Sequence, residues 1–236
     1  MSDSYTGKKG APPSTPWWKP IRFVQLFIFM VLYLLFQPLL HKTPFLTALL
    51  SLLFLNMLVV TLSLAGARAQ RRWPVILPWF VATVLNGVAL HSRDMAATGL
   101  ITALADMSTT LLIVACVVMI LRNILSSREI TVDTVFGAFT AYFLIALIYS
   151  SLYHALHVMD PASFSMAAIP GRGGGELQGI EFTYYSFVTI ATLGYGDIYP
   201  ALPAARMLSI LEAMTGQFYM AGVIAWIISI LVMRRN

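Results

Sequence analysis

Charged side chains are scarce in this chain, since Asp, Glu, Lys and Arg make up only 11% of its 236 residues. A typical soluble domain carries about 25% charged residues. Hydrophobic residues account for 58% of the sequence, and they leave no stretch long enough for a large soluble domain. The composition therefore predicts an integral membrane protein.

Cysteine is nearly absent, and the single one, Cys116, lies inside an apolar run. This excludes an intrachain disulfide and a cysteine-based metal site. No nucleophile–base pair or metal-ligand cluster is apparent either, so we expect neither an enzyme nor a cofactor. The first apolar run is long, lacks a small-residue cleavage site and is followed by other runs, which does not fit a signal peptide.

Long apolar runs dominate the rest of the chain. A helix needs about 20 apolar residues to cross a hydrocarbon core of roughly 30 Å. Six runs approach or exceed that length: 21–40, 45–65, 74–90, 96–121, 135–158 and 208–233. Residues 181–191 are too short to span, but suit a half-membrane helix that enters and leaves by the same face. We predict an all-α membrane protein with six transmembrane helices and one re-entrant helix.

The domain organisation follows from these runs. Residues 1–20 are expected to form a disordered cytoplasmic tail, 21–121 a four-helix membrane domain, 122–134 a cytoplasmic linker and 135–236 a second domain containing the re-entrant helix. With both termini in the cytoplasm, 11 of the 15 Lys and Arg residues fall on the inner side. This bias agrees with the positive-inside rule, so the net charge of +5 is interpreted as topogenic rather than as a nucleic-acid surface. We expect a multi-pass protein of the cell membrane.

A polar hexapeptide, Thr192-Leu193-Gly194-Tyr195-Gly196-Asp197, interrupts the apolar sequence. Its backbone would be unsatisfied in lipid unless it lined a water-filled path inside protein. Glycine at alternate positions permits backbone angles that are closed to residues with a Cβ, and such alternation can turn successive carbonyls toward one side. Four strands of this kind around an axis would present stacked rings of carbonyl oxygens, which can replace the water shell of a cation.

The hexapeptide resembles the potassium-channel signature T-V-G-Y-G-D, with Leu193 where valine is commonest. From about residue 142 to residue 233 the order is outer helix, turret, pore helix, filter and inner helix, and the inner helix contains Leu211-Glu-Ala-Met-Thr-Gly-Gln217. Both features are similar to the bacterial ion-channel family related to two-pore-domain potassium channels. The resemblance implies a K⁺-selective channel that conducts passively. One signature per chain implies a homotetramer, surrounded by membrane lipids.

The resemblance also implies roles for individual residues. K⁺, as the permeant ion, would be coordinated by the carbonyls of Thr192, Leu193, Gly194 and Tyr195 and by the Thr192 hydroxyl. Gly196 and Asp197 would lie at the outer mouth of the filter.

Four residues are expected to support the filter. Asp197 would hydrogen-bond behind it, and Tyr184 and Tyr185 stand where the family often has tryptophans. These tyrosines could instead be generic interfacial residues. Val188 occupies the position where some members have a glutamate that pairs with the aspartate, so that pair is absent here.

The inner helix supplies the gating candidates. Gly216 matches the family's hinge position, although close helix packing is an alternative because small residues are frequent at membrane helix interfaces. Met220, Ile224 and Ile228 share one face at i, i+4 and i+8. They could line the cavity and form a hydrophobic constriction, or they could pack against lipid or another helix.

The fourth run, 96–121, contains no Lys or Arg. Each charge that crosses the membrane field contributes about 2.3 kcal/mol per 100 mV, so a steep voltage sensor needs several of them. We therefore expect a channel that is not steeply voltage-gated.

Several polar residues within the runs need partners or roles. Asp106 is expected either to be functional or to join a hydrogen-bond network with Asn56 and Asn86. His154 and His157 could sense external pH or pack at the interface, and Glu212 is expected to brace the pore helix.

Two other functions stay open from the sequence. A nonselective cation channel could have a similar scaffold, although the intact Gly-Tyr-Gly argues against it. A membrane sensor or binding subunit with a non-conducting pore is the alternative from another class.

Overall fold

The structure is a computed structural model that describes residues 22–40, 95–126, 130–167 and 177–233, together with single residues and short stretches between 43 and 88. The predicted tail, 1–20, and most of the second and third runs, 45–65 and 74–90, lie outside the described residues. The count of six spans therefore stays a prediction.

The described chain is mostly helical. Its helices are α1 (Arg22–Leu40), α2 (Met95–Ser126), α3 (Val132–Met159), α4 (Gly179–Ile190), α5 (Pro203–Tyr219) and α6 (Ala225–Met233). Among the described residues, four stretches are long and apolar enough to cross a membrane: Phe23–Leu40, Gly99–Ser126, Val132–Met159 and Pro203–Ile230. They correspond to the first, fourth, fifth and sixth predicted runs.

Three helix ends differ from the sequence prediction by three or more residues. Helix α3 begins at Val132 rather than at residue 135, within the predicted linker. Helix α2 continues to Ser126, so the beginning of the predicted linker, including Arg122, is helical. Helix α5 begins at Pro203 rather than at residue 208. Proline suits the first helical position because its missing N–H would have no partner there and its fixed φ is already helical.

A two-stranded sheet is an addition to the predicted all-α fold. Strand β1 (Phe164–Met166) follows a 3₁₀ turn, Pro161–Ser163, and pairs antiparallel with β2 (Ile198–Pro200), so that Phe164 lies opposite Pro200. The sheet lies within the predicted turret and directly after the hexapeptide. It therefore connects the segment before α4 to the segment after the hexapeptide.

Helix α3 lies at the centre of the described fold and packs against α1, α2, α4 and α5. At its N-terminus, the Asp133 carboxylate accepts hydrogen bonds from the backbone N–H groups of Phe23 and Val24, at 2.8 and 3.2 Å. These are two of the unsatisfied donors at the start of α1. The contact fixes the beginning of the first helix against the beginning of the central one.

The buried side chains form two clusters. The larger one joins α1, α2 and α3 and includes Leu26, Leu112 and Leu144. The smaller one is largely aromatic and includes a residue of each strand: Tyr153, Phe164, Phe182, Tyr185, Ile198 and Ala205. Because this second cluster draws on α3, α4, α5 and both strands, it fixes α4, and with it the residues that follow α4.

Candidate functional site

The hexapeptide follows the end of α4 with an alternating backbone. Thr192, Gly194 and Gly196 have positive φ values of 59°, 59° and 76°. The two glycines accommodate this geometry because they lack a Cβ. The sequence predicted alternation at the glycines, whereas its extension to Thr192 was not foreseen.

Thr192 is an unusual residue to find in the left-handed region, because β-branched side chains clash there. Such conformations cost about 1–3 kcal/mol and persist only where the surroundings impose them. Two backbone hydrogen bonds do so here: the N–H of Thr192 donates to the Thr189 carbonyl and that of Leu193 to the Val188 carbonyl, both at 2.9 Å. The last turn of α4 thus determines how the hexapeptide begins.

The carbonyls of residues 192–195 accept no hydrogen bond from the described part of the chain. The same residues are exposed in the single subunit, and the side chains of Leu193 and Tyr195 are 55% and 65% accessible. Unpartnered carbonyls require water, an ion or another donor. The segment is therefore chemically suited to coordinating a cation.

Asp197 closes the hexapeptide and is held from two directions. The Tyr184 hydroxyl on α4 donates to Asp197 Oδ2 at 2.8 Å, and the N–H of Ala167, just after β1, donates to the Asp197 carbonyl at 2.7 Å. The rings of Tyr184 and Tyr195 stack with centroids 6.5 Å apart. The hydrogen bond expected for Asp197 thus has Tyr184 as its partner, and Ala167 is a contact that the sequence did not suggest.

Tyr185 and Val188 connect the other faces of α4 to the fold. The Tyr185 hydroxyl lies 2.8 Å from the Ser209 hydroxyl on α5. Val188 is buried, and its carbonyl receives the N–H of Leu193. Both side chains are buried and therefore fix the position of α4 against the core.

Glu212 on α5 is completely buried where three helices meet. The Tyr153 hydroxyl on α3 donates to its Oε2 at 2.6 Å, and the Ser186 hydroxyl on α4 contacts its Oε1. The Ser186 oxygen also lies 2.6 Å from the carbonyl of Ala146 on α3. These contacts agree with the expectation that Glu212 braces the pore helix. The sequence signal that could have identified Ser186 is a hydroxyl within an aromatic, largely apolar segment.

Gly216 lies where α5 crosses the end of α4. A Cβ added at this position would be 2.7 Å from Ile190 Cγ1 and 2.8 Å from the Ile190 carbonyl oxygen. The same carbonyl accepts a hydrogen bond from the Tyr142 hydroxyl at 3.0 Å. The absence of a side chain thus permits a close approach of the two helices, and a hinge at Gly216 stays a prediction.

The helix after Gly216 is not uniform, because Met220–Ile224 forms a π-helical turn between α5 and α6. The expected face of Met220, Ile224 and Ile228 assumed an uninterrupted α-helical spacing. Met220 and Ile228 are exposed, whereas Ile224 is partly buried against the core. The π turn interrupts the predicted face, and a gating role for these three residues stays a prediction.

Asp106 has a different partner from those expected. Its Oδ2 lies 2.7 Å from His154 Nδ1 on α3, and the His154 ring packs on Phe182 of α4 with centroids 5.8 Å apart. The Asn56 side chain instead donates to the Leu52 carbonyl on its own helix, and Asn86 lies outside the described residues. The interaction connects α2 to α3 and, through the aromatic contact, to α4.

Within the described ranges, no group of three or more His, Cys, Asp or Glu side chains could hold a metal ion. The one arrangement there with the chemistry of ion coordination is the hexapeptide and its free carbonyls.

Comparison with known proteins agrees with this geometry. Residues 130–233 match the model of a family described as Ion channel (Ion_trans_2). An alignment over 92 residues is 28% identical to the two pore potassium channel c of Oryza sativa subsp. japonica. It covers 37% of this chain and only 19% of that relative's length. Together with the apolar helices, these matches support an ion-channel function in a multi-pass membrane protein.

Proposed function

We propose that this chain is a subunit of a K⁺-selective channel that conducts passively through residues 192–196. The observation that carries the proposal is the positive φ at alternate residues Thr192, Gly194 and Gly196, next to carbonyls that have no partner in the described chain. Backbone carbonyls of this kind can replace the hydration shell of K⁺. The similarity to a protein named as a potassium channel favours K⁺ as the permeant ion.

The proposed assembly is a homotetramer. One chain supplies one filter segment, and its exposed, unpartnered backbone cannot face lipid. Neighbouring copies around a closed symmetry axis would cover it. Helix α5 also presents apolar side chains that are 47–69% exposed in the single subunit and are available for such contacts: Met207, Ile210, Leu211, Met214 and Phe218.

Steep voltage gating is not expected from α2. Its sequence contains a single basic residue, Arg122, near the C-terminal end. One charge moving through the whole field would contribute only about 2.3 kcal/mol per 100 mV. The open probability should therefore change only shallowly with voltage.

Reversal potentials of the purified protein in a planar bilayer test the proposal. With K⁺ and Na⁺ gradients in opposite directions, the current should reverse near the K⁺ equilibrium potential. Reversal near zero would identify a nonselective cation channel. Absence of current from protein shown to be folded would instead favour a sensor or binding subunit.

Native mass spectrometry in mild detergent tests the assembly and should show four copies of the chain. A conducting monomer or dimer would contradict the proposed arrangement of filter segments. When the same protein is reconstituted in a planar bilayer, its current should show no steep sigmoidal activation with voltage.

A further inference from the structure

Glu212 is a buried carboxyl of the proposed channel domain, and its charge state has to be explained. It is completely inaccessible, and the ion pair identified among the described residues joins a different carboxyl, Asp106, to His154. No cation of the described chain therefore lies within ion-pair distance of Glu212. Burying an ionised carboxylate without a cationic partner is very costly.

The protons available around Glu212 can be counted. Ser186 Oγ touches two acceptors, the Ala146 carbonyl at 2.6 Å and Glu212 Oε1, but a hydroxyl has only one proton to donate. Tyr153 uses its proton on Glu212 Oε2. If Glu212 were ionised, it could only accept, and either Oε1 or the Ala146 carbonyl would face the serine oxygen without a proton between them.

A proton on Glu212 resolves this conflict. Oε1–H then donates to Ser186 Oγ, Ser186 donates to the Ala146 carbonyl, and Tyr153 donates to Oε2. Every close oxygen pair contains one proton. Three further phenols lie around this network in the described chain: Tyr185, which bonds to Ser209, Tyr142, which bonds to the Ile190 carbonyl, and Tyr149, which packs on Tyr153 and bonds to Thr215.

We propose that Glu212 is a neutral carboxylic acid at neutral pH and acts as a positioning residue. By donating its proton to Ser186, it joins the inner helix α5 to the pore helix α4 and the outer helix α3. The consequence for conduction rests on the function proposed above. Ser186 lies on α4 shortly before Thr192, so loss of the proton would loosen the helix that determines where the filter begins.

Infrared difference spectroscopy tests the protonation state without any measurement of current. Subtracting the Glu212→Gln spectrum from that of the wild-type protein at neutral pH should reveal the carbonyl stretch of a protonated carboxylic acid. Glu181→Gln is the matched control, because the partly exposed Glu181 carboxylate accepts the Gln178 N–H at the start of α4. That difference should show carboxylate bands instead. Carboxylate bands in the Glu212 difference would overturn the proposal.

The wild-type protein provides a test that does not depend on the variant. The carbonyl band should shift only slowly on transfer to heavy water, since the proton is buried. If the wild-type spectrum contains no band of a protonated carboxyl, the proposal is wrong, whether or not the protein conducts K⁺.

Two variants then distinguish a neutral donor at position 212 from an ionised carboxylate that can only accept hydrogen bonds. Glutamine preserves the pattern, because its amide N–H can donate to Ser186 and its carbonyl can accept from Tyr153. Glu212→Gln should keep the melting temperature and reversal potential of the wild-type protein, whereas Glu212→Ala should lower the melting temperature by several degrees. Equal destabilisation by both variants would contradict the neutral donor. A stable, protonated wild-type protein without K⁺ selectivity would instead count against the proposed function alone.

Discussion

Gly216→Ala would test the close contact between α5 and the end of α4. The added methyl group would lie 2.7 Å from Ile190 Cγ1 and 2.8 Å from the Ile190 carbonyl oxygen. The side chain can move away, but the carbonyl is part of the backbone that leads to Thr192 and is held by the Tyr142 hydroxyl. The strain should therefore be transmitted toward residues 192–196, the proposed filter.

Two opposing terms set the size of the effect. Replacing glycine by alanine inside a helix usually gains about 1 kcal/mol. Overpacking a well-filled contact typically costs about 1–3 kcal/mol. Because one of the two clashing atoms belongs to the backbone, we expect the cost to lie toward the upper end. The net loss of stability should then be about 1–2 kcal/mol.

Thermal unfolding in detergent and bilayer reversal potentials would measure the two consequences. Gly216→Ala should lower the melting temperature and reduce the preference for K⁺ over Na⁺. Gly99→Ala is the control, since a Cβ there would meet only Val158 Cγ1 at 3.8 Å, an ordinary contact. It should leave the K⁺ preference intact and raise rather than lower the melting temperature. A Gly216→Ala protein as stable and as selective as wild type would refute the reasoning.

Three further substitutions test other contacts. Tyr184→Phe removes the hydroxyl that donates to Asp197. Because the site is partly exposed, the loss of this hydrogen bond should lower the free energy of unfolding by about 1 kcal/mol and weaken K⁺ selectivity. An unchanged reversal potential would argue against a supporting role for Tyr184. Asp106→Asn and His154→Gln should each lower the melting temperature, with a coupling of about 0.5–3 kcal/mol in the double variant, whereas strict additivity would mean that the pair contributes nothing. Ile228→Ser should wet a hydrophobic constriction and raise the single-channel open probability at unchanged selectivity, and an unaltered open probability would place the gate elsewhere.

The local chemistry of the candidate site was accessible from the sequence. Glycine's access to positive φ is a property of the residue itself, so Gly194 and Gly196 predicted their own backbone conformations. Long apolar runs likewise predicted the four described spans, because length and hydropathy suffice for that purpose. The contact of Glu212 with α4 could be predicted because its position in the inner-helix motif was recognisable.

Contacts between distant segments were less accessible. Asp106 was assigned amide partners on neighbouring spans, but it meets His154 because α2 and α3 pack closely, and sequence periodicity does not give the relative rotation of two helices. The strands β1 and β2 have three residues each, too few for an alternating pattern to be distinguished. Similarly, the π turn has no clear periodic signal, so the face of Met220, Ile224 and Ile228 was derived from α-helical spacing alone.

The π turn at Met220–Ile224 also sets the azimuth of α6 relative to that of α5. A π turn spans one residue more than an α turn, and each residue of an α-helix rotates the chain by about 100°. If all five residues wound as an α-helix instead, α6 would be rotated by about that angle, while the Gly216–Ile190 contact stayed in place. Deleting one residue would restore α-helical winding and leave α6 close to its present orientation. A switch between π and α winding at constant chain length would thus redirect α6, including Ile228, without altering the backbone that presents the carbonyls.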